Sequence, residues 1–133
     1  MSVTIRTRAI VVASLDTDAK LVQFKREDST IDQVTETFDL EASDTIELAA
    51  SEADYALQKG KIANIQFIYI ESDRALTIKL DGEVAGHKIG PPATGTKAKL
   101  LLRTSGMTAV PTLTNDDTSN AATVSYILAG SKS

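Results

Sequence analysis

The chain has 133 residues with one His, no Cys and no Trp, and its 18 acidic and 14 basic side chains give a formal charge of -4. That length predicts one domain over residues 1–133 with a single core, large enough to bury about two-thirds of the surface its unfolded chain would expose. The absence of Cys excludes a disulfide framework and thiolate metal sites, and the acidic balance argues against a nucleic-acid partner, whose phosphates require clustered Lys and Arg. No apolar stretch approaches the roughly 20 residues of a membrane helix. The opening MSVTIRTR lacks the continuous apolar segment of a secretory signal, so a soluble protein made in a cytoplasm, with no membrane partner, is expected.

The first element spans Val3 to Ala13, with Val3, Ile5, Ala9 and Val11 on one side and Thr4, Arg6 and Arg8 opposite, followed by Ile10 and Val12. This predicts a long strand whose later part is buried on both faces. Leu15 to Ala19 reads as a turn. Lys20 to Arg26 alternates again through Val22 and Phe24, and Glu27 to Thr30 breaks the pattern. Ile31 to Leu40 resumes it with Val34, Phe38 and Leu40 in phase, and Asp44 to Ala49 reads as a shorter strand. The segment Ser51 to Gly60 is a short helix or an irregular loop: Ser51 is placed to cap a helix and Gly60 to end it, with Tyr55 and Leu57 to pack down.

Ile65 to Gly82 reads IQFIYIESDRALTIKLDG. Phe67 and Tyr69 point one way and Ile68 and Ile70 the other, so both faces of this strand are expected to be covered. In the next run Leu76, Ile78 and Leu80 share one face against Ala75, Thr77 and Lys79, the alternation of a half-solvated antiparallel strand. Ser72 and Asp73 suit a turn, which predicts a hairpin over Ile65 to Leu80, and Asp81-Gly82 supplies positive φ for a second reversal. Glu83 to Thr96 then holds Gly86, Gly90, Pro91, Pro92 and Gly95, a density of breakers that reads as the longest loop. Strands resume at Lys97 to Arg103, Met107 to Thr114 and Ala121 to Ala129. About eight or nine strands with at most one short helix predict an all-β, antiparallel two-sheet sandwich of jelly-roll type.

The residues offer little chemistry. A lone His87 in a loop gives no metal constellation and no nucleophilic partner set. Glu36, Asp39, Glu41, Asp44 and Glu47 look like solvated positions beside an apolar phase, where a glycoside hydrolase needs two acids in fixed relation. Asp16-Thr-Asp18 and Asn115-Asp-Asp117 offer oxygens to Ca²⁺ but lack the Gly and terminal Glu of a helix-loop-helix calcium site, and turn chemistry explains them without metal. Gly86 to Gly95 has no Lys-Ser/Thr pair of a phosphate loop. No cofactor is expected. The runs Ile65 to Ile70 and Leu100 to Leu102 carry more apolar surface than one sandwich interior consumes, which points to an oligomer.

The stretch Ile65 to Gly82 resembles a pattern of small structural proteins in tailed bacteriophage virions, in which an apolar strand ends in a short acidic turn before a strand of alternating Thr and apolar residues. Met107-Thr-Ala-Val-Pro-Thr-Leu-Thr-Asn115 and Ala121-Ala-Thr-Val-Ser-Tyr-Ile-Leu-Ala-Gly130 resemble the closing strands of the same proteins, so the similarity runs from Ile62 onward. The resemblance implies a non-enzymatic β-sandwich component of the particle, foremost a capsid decoration (cement) protein, with a tail- or neck-associated protein as the alternative. It also implies a homo-oligomer, a trimer first, and contact with the major capsid protein or another virion protein. Candidate contact residues are Arg6 and Arg8 near the N-terminus and His87, Lys88, Ile89, Pro91 and Pro92 in the loop, because loops and termini on a rigid scaffold make such contacts. A carbohydrate- or receptor-binding module is the competing class, with few aromatic side chains to stack on sugar rings.

Overall fold

A computed structural model describes residues 3–8, 12–14, 21–23, 33–91, 93 and 95–133. Twelve strands lie among them: β1 (Val3–Arg8), β2 (Val12–Ser14), β3 (Leu21–Gln23), β4 (Gln33–Phe38), β5 (Leu40–Leu48), β6 (Tyr55–Ala56), β7 (Asn64–Ser72), β8 (Leu76–Lys79), β9 (His87–Ile89), β10 (Ala98–Met107), β11 (Thr112–Asn115) and β12 (Ala122–Ser131). The chain divides into two compact units, one of Thr4–Thr37 and the other chiefly of Phe38–Ser133. In the smaller unit β1 pairs with β4 and β2 pairs antiparallel with β3, with Ala13 opposite Val22. The turn expected at Leu15 to Ala19 lies outside the described residues.

The larger unit is the expected two-sheet sandwich. One sheet has the order β10-β7-β12-β5 and the other β6-β11-β8-β9, with antiparallel pairing throughout. The pairs β5/β6, β7/β8, β9/β10 and β11/β12 each place one strand in each sheet. Their four crossings fall at one end, because Leu48 pairs with Ala122, Val124 with Ser72 and Ser72 with Ala98 in the first sheet, while Asn115, Leu76 and Ile89 are level in the second. Eight strands joined in this order make a jelly roll.

Between the sheets lie Leu48, Ile65, Ile68, Ile70, Val124, Tyr126 and Leu128 on one side and Leu76, Ile78 and Leu113 on the other, all at 2 % exposure or less. Apart from Ile65, which the register slip opposite Ala129 and Gly130 brings into phase with the core, these positions follow the period of two along their strands, and burying each stabilises the fold by about 1.5 to 3 kcal/mol. Asp81 and Gly82 take left-handed φ values of 40° and 84° at the reversal between β8 and β9, where the sequence placed it.

Three local expectations are corrected. β7 and β8 do not form a hairpin: β7 is flanked by β10 and β12, and β8 by β11 and β9. With both edges of β7 taken, the chain has to leave the sheet, and the Ser72 hydroxyl holds the bend by accepting from the Arg74 N–H at 3.1 Å and donating to the Arg74 carbonyl at 2.8 Å. Ser51 to Gly60 is the irregular option and not the helix, since Ser51 and Asp54 have φ of 61° and 53° and Tyr55–Ala56 adds to the edge of β11. Thr104 to Gly106 does not separate two strands but lies inside β10 as a bulge, where the pairing with β7 slips between Arg103 and Met107.

Candidate functional site

Two surfaces of the sandwich carry chemistry. The first is a depression of about 520 Å³ at the crossing end, between the β7–β8 bend, the β9–β10 connection and the β11–β12 loop, lined by Asp73, Arg74, Pro91, Lys97 and Asp117 among others. Each carboxylate here already serves the fold. Asp73 accepts from the Thr123 N–H at 2.8 Å, and its own N–H donates to the Thr123 carbonyl, so Asp73 extends the pairing of β12 beyond the end of β7. Asp117 accepts from the backbone N–H groups of Ser119 and Asn120 at 2.8 and 2.9 Å, which hold its carboxyl below its ordinary value, and the Asn120 side chain and Arg74 act in the same direction. Arg74 reaches Asp117 only at 3.7 Å, and its Nε is buried with no hydrogen-bond partner among the described residues. The arrangement can hold a small polar group between fixed charges of both signs.

The second surface is the outer face of the larger sheet. Leu101, Tyr69, Ile127 and Ser43 lie side by side across it, one from each strand. Leu101 is 47 % exposed, while Tyr69 and Ile127 are half-buried. The row below contains Arg103, Phe67, Ala129 and Glu41. Phe67 is only 5 % exposed on this outer face because Phe38 packs on it with ring centroids 6.0 Å apart and the Arg103 guanidinium stands 5.3 Å over Phe38. The row above contains Lys99, Glu71, Ser125 and Thr45, with the last two hydroxyls 3.0 Å apart. Tyr69 donates to Glu71 Oε2 at 2.6 Å, and Lys97 approaches Glu71 Oε1 at 3.1 Å. The Tyr69 bond and then Lys97 hold the Glu71 carboxyl below its ordinary value; the same bond, with burial and the adjacent negative charge, pushes the Tyr69 phenol up to about 12.

The residues singled out in the sequence fall in several places. His87 and Lys88 are exposed on β9, an edge strand and not a loop, with His87 Nε2 3.0 Å from Glu83 Oε1 at the β8–β9 turn. Ile89 is half-buried against the core, and Pro91 lines the depression at the opposite end of the same segment. Pro92 lies outside the described residues; Arg6 and Arg8 are on β1, with only their backbone described. Asp39, Glu41, Asp44 and Glu47 are exposed, as their phase predicted. Asp73, Arg74, Lys97 and Asp117 were not singled out together, because only the crossings bring them to one place. Asn115 to Asp117 spends its oxygens on protein donors, including Thr77 Oγ1 to Asp116 at 2.8 and 3.0 Å. Among the described residues no three His, Cys, Asp or Glu side chains are grouped to hold a metal ion, and no helix is long and apolar enough to cross a membrane. No protein-family model, no curated protein and no solved structure matches this chain.

Proposed function

We propose that this chain is a non-enzymatic structural protein of a tailed-phage particle, a capsid decoration protein that binds assembled capsids and stabilises them. The observation that carries the reading is the jelly roll itself: the strands bearing the resemblance to virion proteins, β7, β8, β11 and β12, are the central strands of its two sheets. Jelly rolls recur in viral capsid proteins and in lectins. A sandwich tied by packing and not by disulfides, with mixed surface charge, stays soluble before assembly, and many modest contacts repeated over a lattice then act together. In this role the partners are further copies of the chain and the major capsid protein, and the site of action is the virion. Co-sedimentation of the purified protein with assembled capsids tests the reading: the protein is expected in the capsid pellet in a saturable ratio, and its retention in the supernatant at all ratios overturns it.

The depression at the crossing end favours a second reading, a glycan- or receptor-binding module of the tail. Jelly rolls also serve as lectin domains, and ligand sites are concave with a few convergent polar groups, as Asp73, Arg74, Lys97 and Asp117 are arranged here. A glycan array probed with the whole protein separates the two, since a decoration protein leaves it unlabelled.

A further inference from the structure

The two edges of the larger sheet differ in charge. β5, LEASDTIEL, carries three carboxylates, Glu41, Asp44 and Glu47, and no cation. β10, AKLLLRTSGM, carries Lys99 and Arg103 and no carboxylate, and Lys97 directly precedes it. Glu41, Asp44, Glu47, Lys97 and Lys99 are exposed. Among the described residues each of these strands has a partner on one side only. A strand edge presents unpaired N–H and C=O groups, and native proteins blunt such edges with Pro, short strands or inward charge. Here the two edge strands are nine and ten residues long and contain no Pro. Lys on an edge discourages pairing with an identical edge; it does not discourage pairing with an acidic one.

We infer that successive copies of this chain associate head to tail, the acidic β5 edge of one copy pairing with the basic β10 edge of the next. This deepens the reading of the protein as a decoration protein and rests on it only for its purpose. Strand direction permits the arrangement: the sheet order β10-β7-β12-β5 is antiparallel at every step, so β5 and β10 run in opposite senses. A neighbour related by rotation about an axis along the strands brings its β10 antiparallel to β5 and continues the alternation. Such a contact closes into a ring when the rotation divides a full turn. Pairing is confined to the regular part of β10, Ala98 to Arg103, because the bulge after Arg103 turns the strand away. The apolar side chains beside the two edges are those left incompletely covered within one copy, Leu40, Ala42 and Ile46 at β5 and Leu100, Leu101 and Leu102 at β10.

Charge reversal on each edge tests the inference. Lys97→Glu with Lys99→Glu leaves two carboxylates against Arg103 at the β10 edge and so makes both edges acidic, and Glu41→Lys with Glu47→Lys makes both basic; all four side chains are exposed, so the circular dichroism spectrum is expected to stay that of the wild type. By light scattering the wild-type protein is expected at a whole multiple of the chain mass, each variant alone at the mass of one chain, and their equimolar mixture back at the multiple. A monomeric wild-type protein, variants that both keep the wild-type mass, or a mixture that remains monomeric overturns the inference. A monomer that still pellets with capsids removes the head-to-tail contact and leaves the decoration role standing, whereas an oligomer that ignores capsids does the reverse.

Discussion

Asn115 is 1 % exposed, and its side chain ties the crossing end together. Its Nδ2 donates to the carbonyls of Ala49 at 3.0 Å and Asn120 at 2.9 Å, its Oδ1 accepts from the Asp117 N–H at 3.0 Å, and its own N–H donates to the Glu52 carbonyl at 2.8 Å. One amide thereby joins the β5–β6 and β11–β12 crossings. Asn115→Ala takes the side-chain partner from the Asn120 carbonyl and the Asp117 N–H and leaves the Ala49 carbonyl with the Glu52 N–H alone, and buried groups so orphaned cost about 1 to 3 kcal/mol. Urea unfolding is expected to show that loss in the midpoint with an unchanged slope; a variant as stable as the parent would show that water takes over the bonds. The sequence presents Asn115-Asp-Asp117 only as turn-forming residues, and that much was legible. The Ala49 carbonyl that Asn115 serves is 66 positions away, a distance at which local spacing carries no signal.

At the scale of single elements, β7 shows why alternation is read correctly and pairing is not. Its apolar phase is as expected, with Ile68 and Ile70 facing the core and Phe67 covered on the outer face. The turn chemistry of Ser72 and Asp73 serves a bend between sheets as well as it serves a hairpin, since the side-chain bonds are local in both cases. The pairing at the other end of β7 explains Gly130. The register slips between Ala129 and Gly130, and a Cβ on Gly130 would lie 1.9 Å from the Asn64 carbonyl oxygen. Relief requires backbone movement, not a rotamer change, so Gly130→Ala is expected to destabilise the protein by about 1 to 3 kcal/mol, the usual range for overpacking. A thermal midpoint within a degree of the wild type would show that the bulge relaxes freely. Charge segregation between β5 and β10 is present in the sequence as acidic and basic runs, but it acquires meaning only when both strands prove to be the edges of one sheet.

For the whole molecule, pH acts at both ends of the scale. Glu71 and Asp117 have folded-state values below their ordinary 4.5 and 3.8. In the window below those ordinary values the unfolded chain binds more protons than the folded one, so stability is expected to fall as the pH falls through it. Tyr69 is displaced the other way, from 10.0 to about 12. Its contribution is whole below pH 10 and is lost as the pH rises toward 12. Urea midpoints measured across pH, with Tyr69→Phe as the control for the alkaline limb, check both signs. An alkaline limb unchanged in Tyr69→Phe would assign it to another group.

By itself the sequence determined the class of this protein: period-two alternation, dense turn residues and the absence of Cys leave an antiparallel sandwich held by packing. It determined as well which faces are apolar, because within a regular run, away from the bulges, a side chain's face depends only on its parity. Tertiary structure alone decided which strands are neighbours, that four of the crossings share one end, and that the acidic and basic strands form opposite edges. Those outcomes depend on contacts between residues tens of positions apart, where competing pairings of similar strands differ by how the whole core fills and not by any local preference.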